Sequence, residues 1–178
     1  HILVATGSWP RKPDIPGSEL AITSNEAFFL ERLPQRALVV GGGYVAVEFA
    51  SIFRGLDVET TLAYRGARLL RGFDSELGQR LCEEMRNKGV SISLNCSPVS
   101  LEKKQDAIQV HFNDKTSEQF DLVMFATGRK PNTKGLGLET AGVQLGADGA
   151  VAVDAYSKSS VDSIHAIGDV TNRLNLTP

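Results

Sequence analysis

The chain has 178 residues, 42% hydrophobic and 22% charged, with a formal net charge of -2. That size and balance fit one sizeable globular core, or one domain with parts of another. A sequence pI near 5.9 leaves no basic excess for a nucleic-acid surface. No apolar run approaches the length of a membrane span and no basic-then-apolar leader opens the chain, so a soluble, cytoplasmic protein is expected. Cys82 and Cys96 are too few and too far apart for a zinc site or a C-x-x-C pair. They read as free thiols, with a disulfide between them as the alternative, and no metal centre is expected.

Ile2-Leu3-Val4-Ala5 reads as a strand at the very start, and the chain closes on Leu176-Thr177-Pro178 with no finishing element. Domain boundaries normally fall in exposed linkers, so the expectation is a piece of a longer chain. A turn-rich loop follows the first strand, from Gly7-Ser8-Trp9-Pro10 to Pro16-Gly17-Ser18. Ser24-Asn25-Glu26 then starts a short helix over 27–31, with Ser24 or Asn25 as its cap and Pro34 as its stop. Ala37-Leu38-Val39-Val40 is wholly apolar, as a parallel strand buried on both faces would be.

From Tyr44 to Phe53 small and apolar residues recur at helical spacing, and Gly55 stops them. Residues 58–64 are β-rich and form the second predicted strand. Asp74 caps a helix reaching about Lys88 and closed by Gly89, and 90–94 is a third strand. A β-α-β-α-β run therefore occupies 37–94. Beyond it, 99–102, 107–112 and 120–125 read as short strands joined by polar turns, a β-meander where a crossover helix would otherwise stand. Its last run, 122–126, is expected to return to the parallel sheet. The predicted class is α/β: a Rossmann-like parallel sheet with helices on both faces, plus a three-stranded antiparallel β-meander.

Gly41-Gly42-Gly43-Tyr44-Val45-Ala46 fits G-x-G-x-x-[GA] in the context that motif needs, after a buried strand and opening a helix. Gly41 permits the tight strand-to-helix turn, Gly43 lets the backbone approach a pyrophosphate, and Ala46 lets helix and strand pack closely. The N–H groups and partial positive charge of the helix start complete an anion site, including those at Tyr44 and Val45. About 20 residues on, an NAD enzyme places an acid against the ribose hydroxyls. This strand ends Ala63-Tyr64-Arg65 instead, and Arg65, Arg68 and Arg71 follow in one loop. A guanidinium there can grip a 2′-phosphate that a carboxylate would repel, so NADP(H) is the predicted nucleotide. Ala5-Thr6-Gly7, Ala126-Thr127-Gly128 and Gly168-Asp169 each follow an apolar strand, and by composition are only strand exits.

Taken together, these pieces resemble the central part of the glutathione reductase family of flavoprotein disulfide reductases. The matching segments are Ile2 to Ser8, Ile22 to Glu26, Gly41 to Ala50, Tyr64-Arg65 with Leu70 to Asp74, Ala126 to Asn132, and Ala166 to Thr171. The resemblance implies an NADPH-binding domain, 21–144, inserted between FAD-domain segments at 1–20 and 145–178. It implies that Arg65 and Arg71 hold the 2′-phosphate, while Arg68 has no firm counterpart. Tyr44 resembles the aromatic lid over the nicotinamide pocket, and Glu48 a carboxylate that pairs with a lysine near the flavin. Gly128 falls among the cofactor-binding positions, and Gly168 and Asp169 resemble the pair that reaches the ribityl and phosphate part of FAD.

The function so implied is delivery of hydride from NADPH to FAD in an enzyme that reduces glutathione disulfide as a homodimer. Trypanothione reductase fits about as well, whereas dihydrolipoamide dehydrogenase would want an acid where Tyr64 stands. Cys82 and Cys96 do not match the family's redox cysteines, and His1, His111 and His165 form no acid–base constellation. By itself the chain is expected to be catalytically incompetent, and a non-catalytic dinucleotide-binding module is the rival from another class.

Overall fold

The computed structural model describes residues 1–173 and 175. β1 (Ile2–Val4) and β2 (Ser8–Pro10) open the chain, and a 3-10 turn at Ser18–Leu20 leads to α1 (Ser24–Ala27). The expected alternation follows as β3 (Arg36–Val40), α2 (Tyr44–Gly55), β4 (Glu59–Tyr64), α3 (Ser75–Asn87) and β5 (Ser91–Leu94). β6 (Pro98–Lys104), β7 (Ala107–Phe112) and β8 (Ser117–Phe120) make the meander, and β9 (Leu122–Phe125) rejoins the parallel sheet. β10 (Arg129–Pro131), β11 (Ile164–Ala166) and a 3-10 turn at Gly168–Thr171 complete the described elements.

The sheet order is β5-β4-β3-β9, every pair parallel. Strands in such a sheet bury both faces, and side chains alternate between them. Ala37, Val39, Leu62 and Met124 face one side, where they pack with Phe49 and Phe53 of α2 and Met85 of α3. Leu38, Val40, Ala63 and Val123 face the other, against Leu101, Val110 and Phe120 of the meander. The α/β class, the parallel sheet and the antiparallel meander are as expected. The layering differs: the helices cover one face and the meander covers the other. The physical reason is the β5-to-β9 connection, whose apolar residues are spent on the meander instead of a crossover helix. Cys82 and Cys96 are buried free thiols on opposite faces of this sheet.

Three local expectations change. The first short helix is Ser24–Ala27, one turn earlier than 27–31, and its cap is Thr23. Thr23 Oγ1 accepts the Asn25 N–H at 3.3 Å, and Glu26 Oε2 accepts the Thr23 N–H at 2.7 Å. This is the reciprocal capping box of a T-x-x-E sequence, which outweighs the apolar run that follows it. Hydrogen bonds from the Thr23 side chain and backbone hold the Glu26 carboxyl below its ordinary value. β2 and β10, which pair with each other, are Ser8-Trp9-Pro10 and Arg129-Lys130-Pro131, whose prolines and polar residues carry no strand pattern in the sequence.

The expected strand 120–125 breaks at Asp121, where the chain leaves the meander and enters the parallel sheet. Asp121 Oδ2 accepts the Arg36 N–H at 2.8 Å, and Oδ1 accepts Arg36 Nη2 at 3.1 Å. Burial pushes this carboxyl's pKa up, but the hydrogen bonds and charge of Arg36 outweigh that and leave it lowered. A carboxyl lowered in the folded state stabilises the fold above its unfolded value, about 3.9, and that contribution is lost as pH falls through the folded value. Asp121→Asn should therefore cost about 1 kcal/mol at pH 7, for a partly exposed pair. In urea titrations down the pH scale, the gap between variant and wild type should close below about pH 4.

Contacts divide the chain into two compact units, Pro10–Gly128 and His1–Trp9 with Arg129–Pro178. These edges differ from the bounds 20/21 and 144/145 read from the sequence. Ile15 and Leu20 pack with the meander core, and Leu101 N–H donates to Pro16 O at 2.8 Å, which draws the turn-rich loop into the larger unit. Leu138 and Val143 bury with Val4, Ile164 and Ala166, which draws the segment after Gly128 into the smaller one. In that unit β1 pairs in parallel with β11. Among the described residues, no helix is long and apolar enough to cross a membrane.

Candidate functional site

The glycine turn sits at the C-terminal edge of the parallel sheet, where open α/β sheets receive ligands. Gly41 follows β3, and its N–H donates to Ala63 O at 2.9 Å. Its φ is +151°, a region that L side chains rarely adopt, and a methyl there would lie 2.4 Å from Ala126 O and 3.1 Å from Ala46 Cβ. Ala46 itself is fully buried, so the close helix–strand approach inferred from the motif is present.

Gly43 caps α2, is exposed, and has no atom within 4 Å of where a side chain would begin. Open space at that point is what an approaching pyrophosphate needs. The first α2 backbone bond recorded from the turn is Val47 N–H to Gly43 O at 3.2 Å, so Val45 and Ala46 N–H precede the intrahelical ladder. No acidic residue occupies the first turn of α2, which leaves the positive end of its dipole uncompensated.

Gly42, a free position in the motif, is constrained here by a residue outside it. A methyl on Gly42 would lie 2.6 Å from three ring carbons of Tyr64, the last residue of β4. Only the contact across two strands reveals this, because the G-x-G pattern leaves its middle position open.

The arginine loop follows directly. Leu69, buried to 1% exposure, anchors it, and Leu70 N–H donates to Gly42 O at 2.7 Å. Asn95 N–H donates to Gly66 O at 3.1 Å. The backbone is thus tied to the glycine turn and to β5's exit. Arg65, Arg68 and Arg71 are exposed, and among the described residues none has a carboxylate within ion-pair distance. Three cations without a carboxylate partner thus stand exposed on the loop tied to the glycine turn, a local positive potential. Tyr44 is half-buried at the first position of α2 and Glu48 is exposed one turn later, on the same helix face. Gly128, exposed three residues past β9, accepts the Arg11 N–H at 2.9 Å, while Thr127 Oγ1 donates to Arg11 O at 2.7 Å. A recess of about 760 Å³ walled by Phe29, Leu30, Pro34 and Leu122 shares no lining residue with these groups.

In the smaller unit, Gly168 and Asp169 follow β11 at the start of the 3-10 turn. Asp169 Oδ2 accepts Ser8 Oγ at 2.6 Å and lies 3.6 Å from Arg129 Nε. Arg129 completes the set by donating to Ser8 Oγ at 2.7 Å and to Ser8 O at 2.6 Å. Oδ1 has no hydrogen-bond partner among the described residues, so the carboxylate is fixed through one oxygen. Sequence reasoning missed the roles of Ser8 and Arg129. Both lie in matched segments, but they are 121 residues apart and nothing local marks their closure on Asp169.

The profile described as pyridine nucleotide-disulphide oxidoreductase matches residues 1–178. The chain is 52% identical to a trypanothione reductase of Leishmania donovani, over 100% of this chain and 37% of that protein. It is 50% identical to a chloroplastic/mitochondrial glutathione reductase of Pisum sativum, over 100% of this chain and 32% of that one. The HOCl-induced flavoprotein disulfide reductase RclA of Escherichia coli superposes with a TM-score of 0.92 at 30% identity, over 98% of this chain and 40% of its own. An engineered water-forming NADPH oxidase solved with NADPH superposes at 0.84, at 28% identity over 94% and 38%. The chain therefore spans about a third to two fifths of the length of these relatives. On the match over 1–178 and the identity to curated disulfide reductases, it belongs to the pyridine nucleotide-disulphide oxidoreductase family.

Proposed function

We propose that this chain carries the NADPH-binding part, together with portions of the FAD-binding part, of a glutathione-disulfide reductase. The observation that carries the reading is the loop after β4, with three exposed arginines and no acid at the strand end where an NAD site places one. Gly41, Gly43, Val45 and Ala46 would receive the pyrophosphate, and Arg65 and Arg71 the 2′-phosphate. Tyr44 would cover the nicotinamide, and Glu48 would pair with a lysine near the flavin. Gly128 is assigned to the nucleotide edge of the sheet. Gly168 and the unpartnered Oδ1 of Asp169 would meet the ribityl and phosphate part of FAD, with Ser8 and Arg129 holding the carboxylate in place.

When bound, the nicotinamide supplies a hydride and the flavin accepts it. The chain's own residues bind and orient these groups. Cys82 and Cys96, buried on opposite sheet faces, do not form a redox pair, so the dithiol that reduces the substrate is assigned to another part of the full-length protein. The assembly so proposed is a cytoplasmic homodimer.

Oxidised trypanothione is the second substrate reading, favoured by the 52% identity to the Leishmania donovani enzyme. The test is NADPH consumption by the full-length protein carrying these residues, with each disulfide offered separately. Turnover of oxidised glutathione with NADPH, and at least about tenfold less with NADH, is the expected result. Turnover of oxidised trypanothione alone would move the substrate to the second reading. No turnover with either would leave a nucleotide-binding module without catalysis.

A further inference from the structure

We infer that Tyr64 is a positioning residue that sets the spacing between the glycine turn and the arginine loop, and thereby the selection of NADPH over NADH. The inference rests on the NADPH reading above. It starts from one ring in contact with two glycines. A methyl on Gly42 would lie 2.6 Å from Cδ1, Cδ2 and Cε1 of Tyr64, equal distances that put it over the ring face. A methyl on Gly66 would lie 2.6 Å from Cε1, 2.8 Å from Cζ and 3.0 Å from Oη. Real side-chain carbons do not approach so closely, so the ring occupies the space a side chain would need at either position. Gly42 lies within the phosphate turn, and Gly66 immediately follows Arg65. One rigid ring is thus packed against the backbone of both segments.

The backbone that carries the ring is fixed. Tyr64 is paired with Leu94 in the sheet, and its carbonyl accepts the Cys96 N–H at 3.0 Å. Gly42 is held in turn by Leu70, whose N–H reaches its carbonyl at 2.7 Å. The turn is therefore tied to the loop by the ring and by this hydrogen bond. The Tyr64 hydroxyl makes no hydrogen bond among the described residues, so the inferred role belongs to the ring. Removing the ring frees the loop's arginines from their register with the turn. NADPH, which needs both segments, then loses more than NADH, which has no 2′-phosphate to place.

The test is calorimetric titration of the chain with NADPH and NADH in a double-mutant cycle. Tyr64→Phe should bind NADPH within about twofold of wild type, because the ring remains. Tyr64→Ala should lose about tenfold in NADPH affinity and much less for NADH. Gly42→Ala should lose about tenfold for NADPH in the wild-type background and add little in the Tyr64→Ala background, leaving the double variant near the tenfold loss of Tyr64→Ala and not at about a hundredfold. Tyr64→Leu replaces Tyr64→Ala if the latter does not unfold cooperatively.

Three results would overturn the inference alone: an unchanged NADPH-to-NADH ratio in Tyr64→Ala, equal loss in Tyr64→Phe and Tyr64→Ala, or a Gly42→Ala effect independent of the ring. Wild-type chain that binds neither nucleotide would overturn the NADPH reading and this inference together.

Discussion

Arg65→Glu is expected to weaken NADPH binding about 100-fold while leaving NADH within about threefold, reversing the order of preference. A charge-assisted hydrogen bond to a phosphate contributes on the order of 1.5–3 kcal/mol, and each 1.4 kcal/mol is tenfold in affinity. The substitution also places a carboxylate where the 2′-phosphate must sit, and NADH presents hydroxyls there that a carboxylate can accept from. Arg65 is exposed and has no ion-pair partner among the described residues, so the fold loses no salt bridge. Arg71→Glu should act in the same direction, and Arg68→Ala should change the ratio little. Titration at two salt concentrations adds an independent reading, because exposed charge contacts are screened beyond about 10 Å at 0.1 M. An unchanged ratio in Arg65→Glu would remove this residue from the selector.

Gly41→Ala should be the most damaging single substitution in the site, lowering stability by about 3–4 kcal/mol. Two costs combine. The backbone sits at φ +151°, and forcing an L residue there costs about 1–3 kcal/mol. The added methyl would also meet Ala126 O at 2.4 Å and Ala46 Cβ at 3.1 Å, atoms of β9's exit and of buried α2 that cannot swing aside. Overpacking of that kind costs typically 1–3 kcal/mol. Gly43→Ala, two residues on, separates stability from binding. Nothing lies within 4 Å of its side-chain position, so the fold should lose less than about 1 kcal/mol. NADPH affinity should nonetheless fall at least about tenfold, because the methyl fills the space the pyrophosphate approaches. Urea midpoints and titrations on the two variants check both halves, and equal destabilisation by the two would contradict the assignment of roles.

Where local chemistry decides the structure, the sequence was readable. The wholly apolar 37–40 run, the glycine turn, Asp74 as the cap of α3 and the polar turns of the meander each carry their signal within a few residues. What was not readable depends on closure between distant segments. The meander was foreseen as a set of strands, but not as the layer that covers the second sheet face, which follows only from packing. Asp121 hides in an apolar run, and its break appears only once Arg36, 85 residues away, is seen bonded to it. The Ser8–Arg129–Asp169 set and the Tyr64 contacts on Gly42 and Gly66 are of the same kind. The glycine turn and the arginine loop were thus legible as residues, whereas the groups that hold them in place were not.

The most direct test of the central claim is calorimetric titration of the purified wild-type chain with NADPH and NADH side by side. The turn and the unpaired arginine loop predict one NADPH site at least about tenfold tighter than NADH. Equal affinity for the two, or no binding of either, would contradict it.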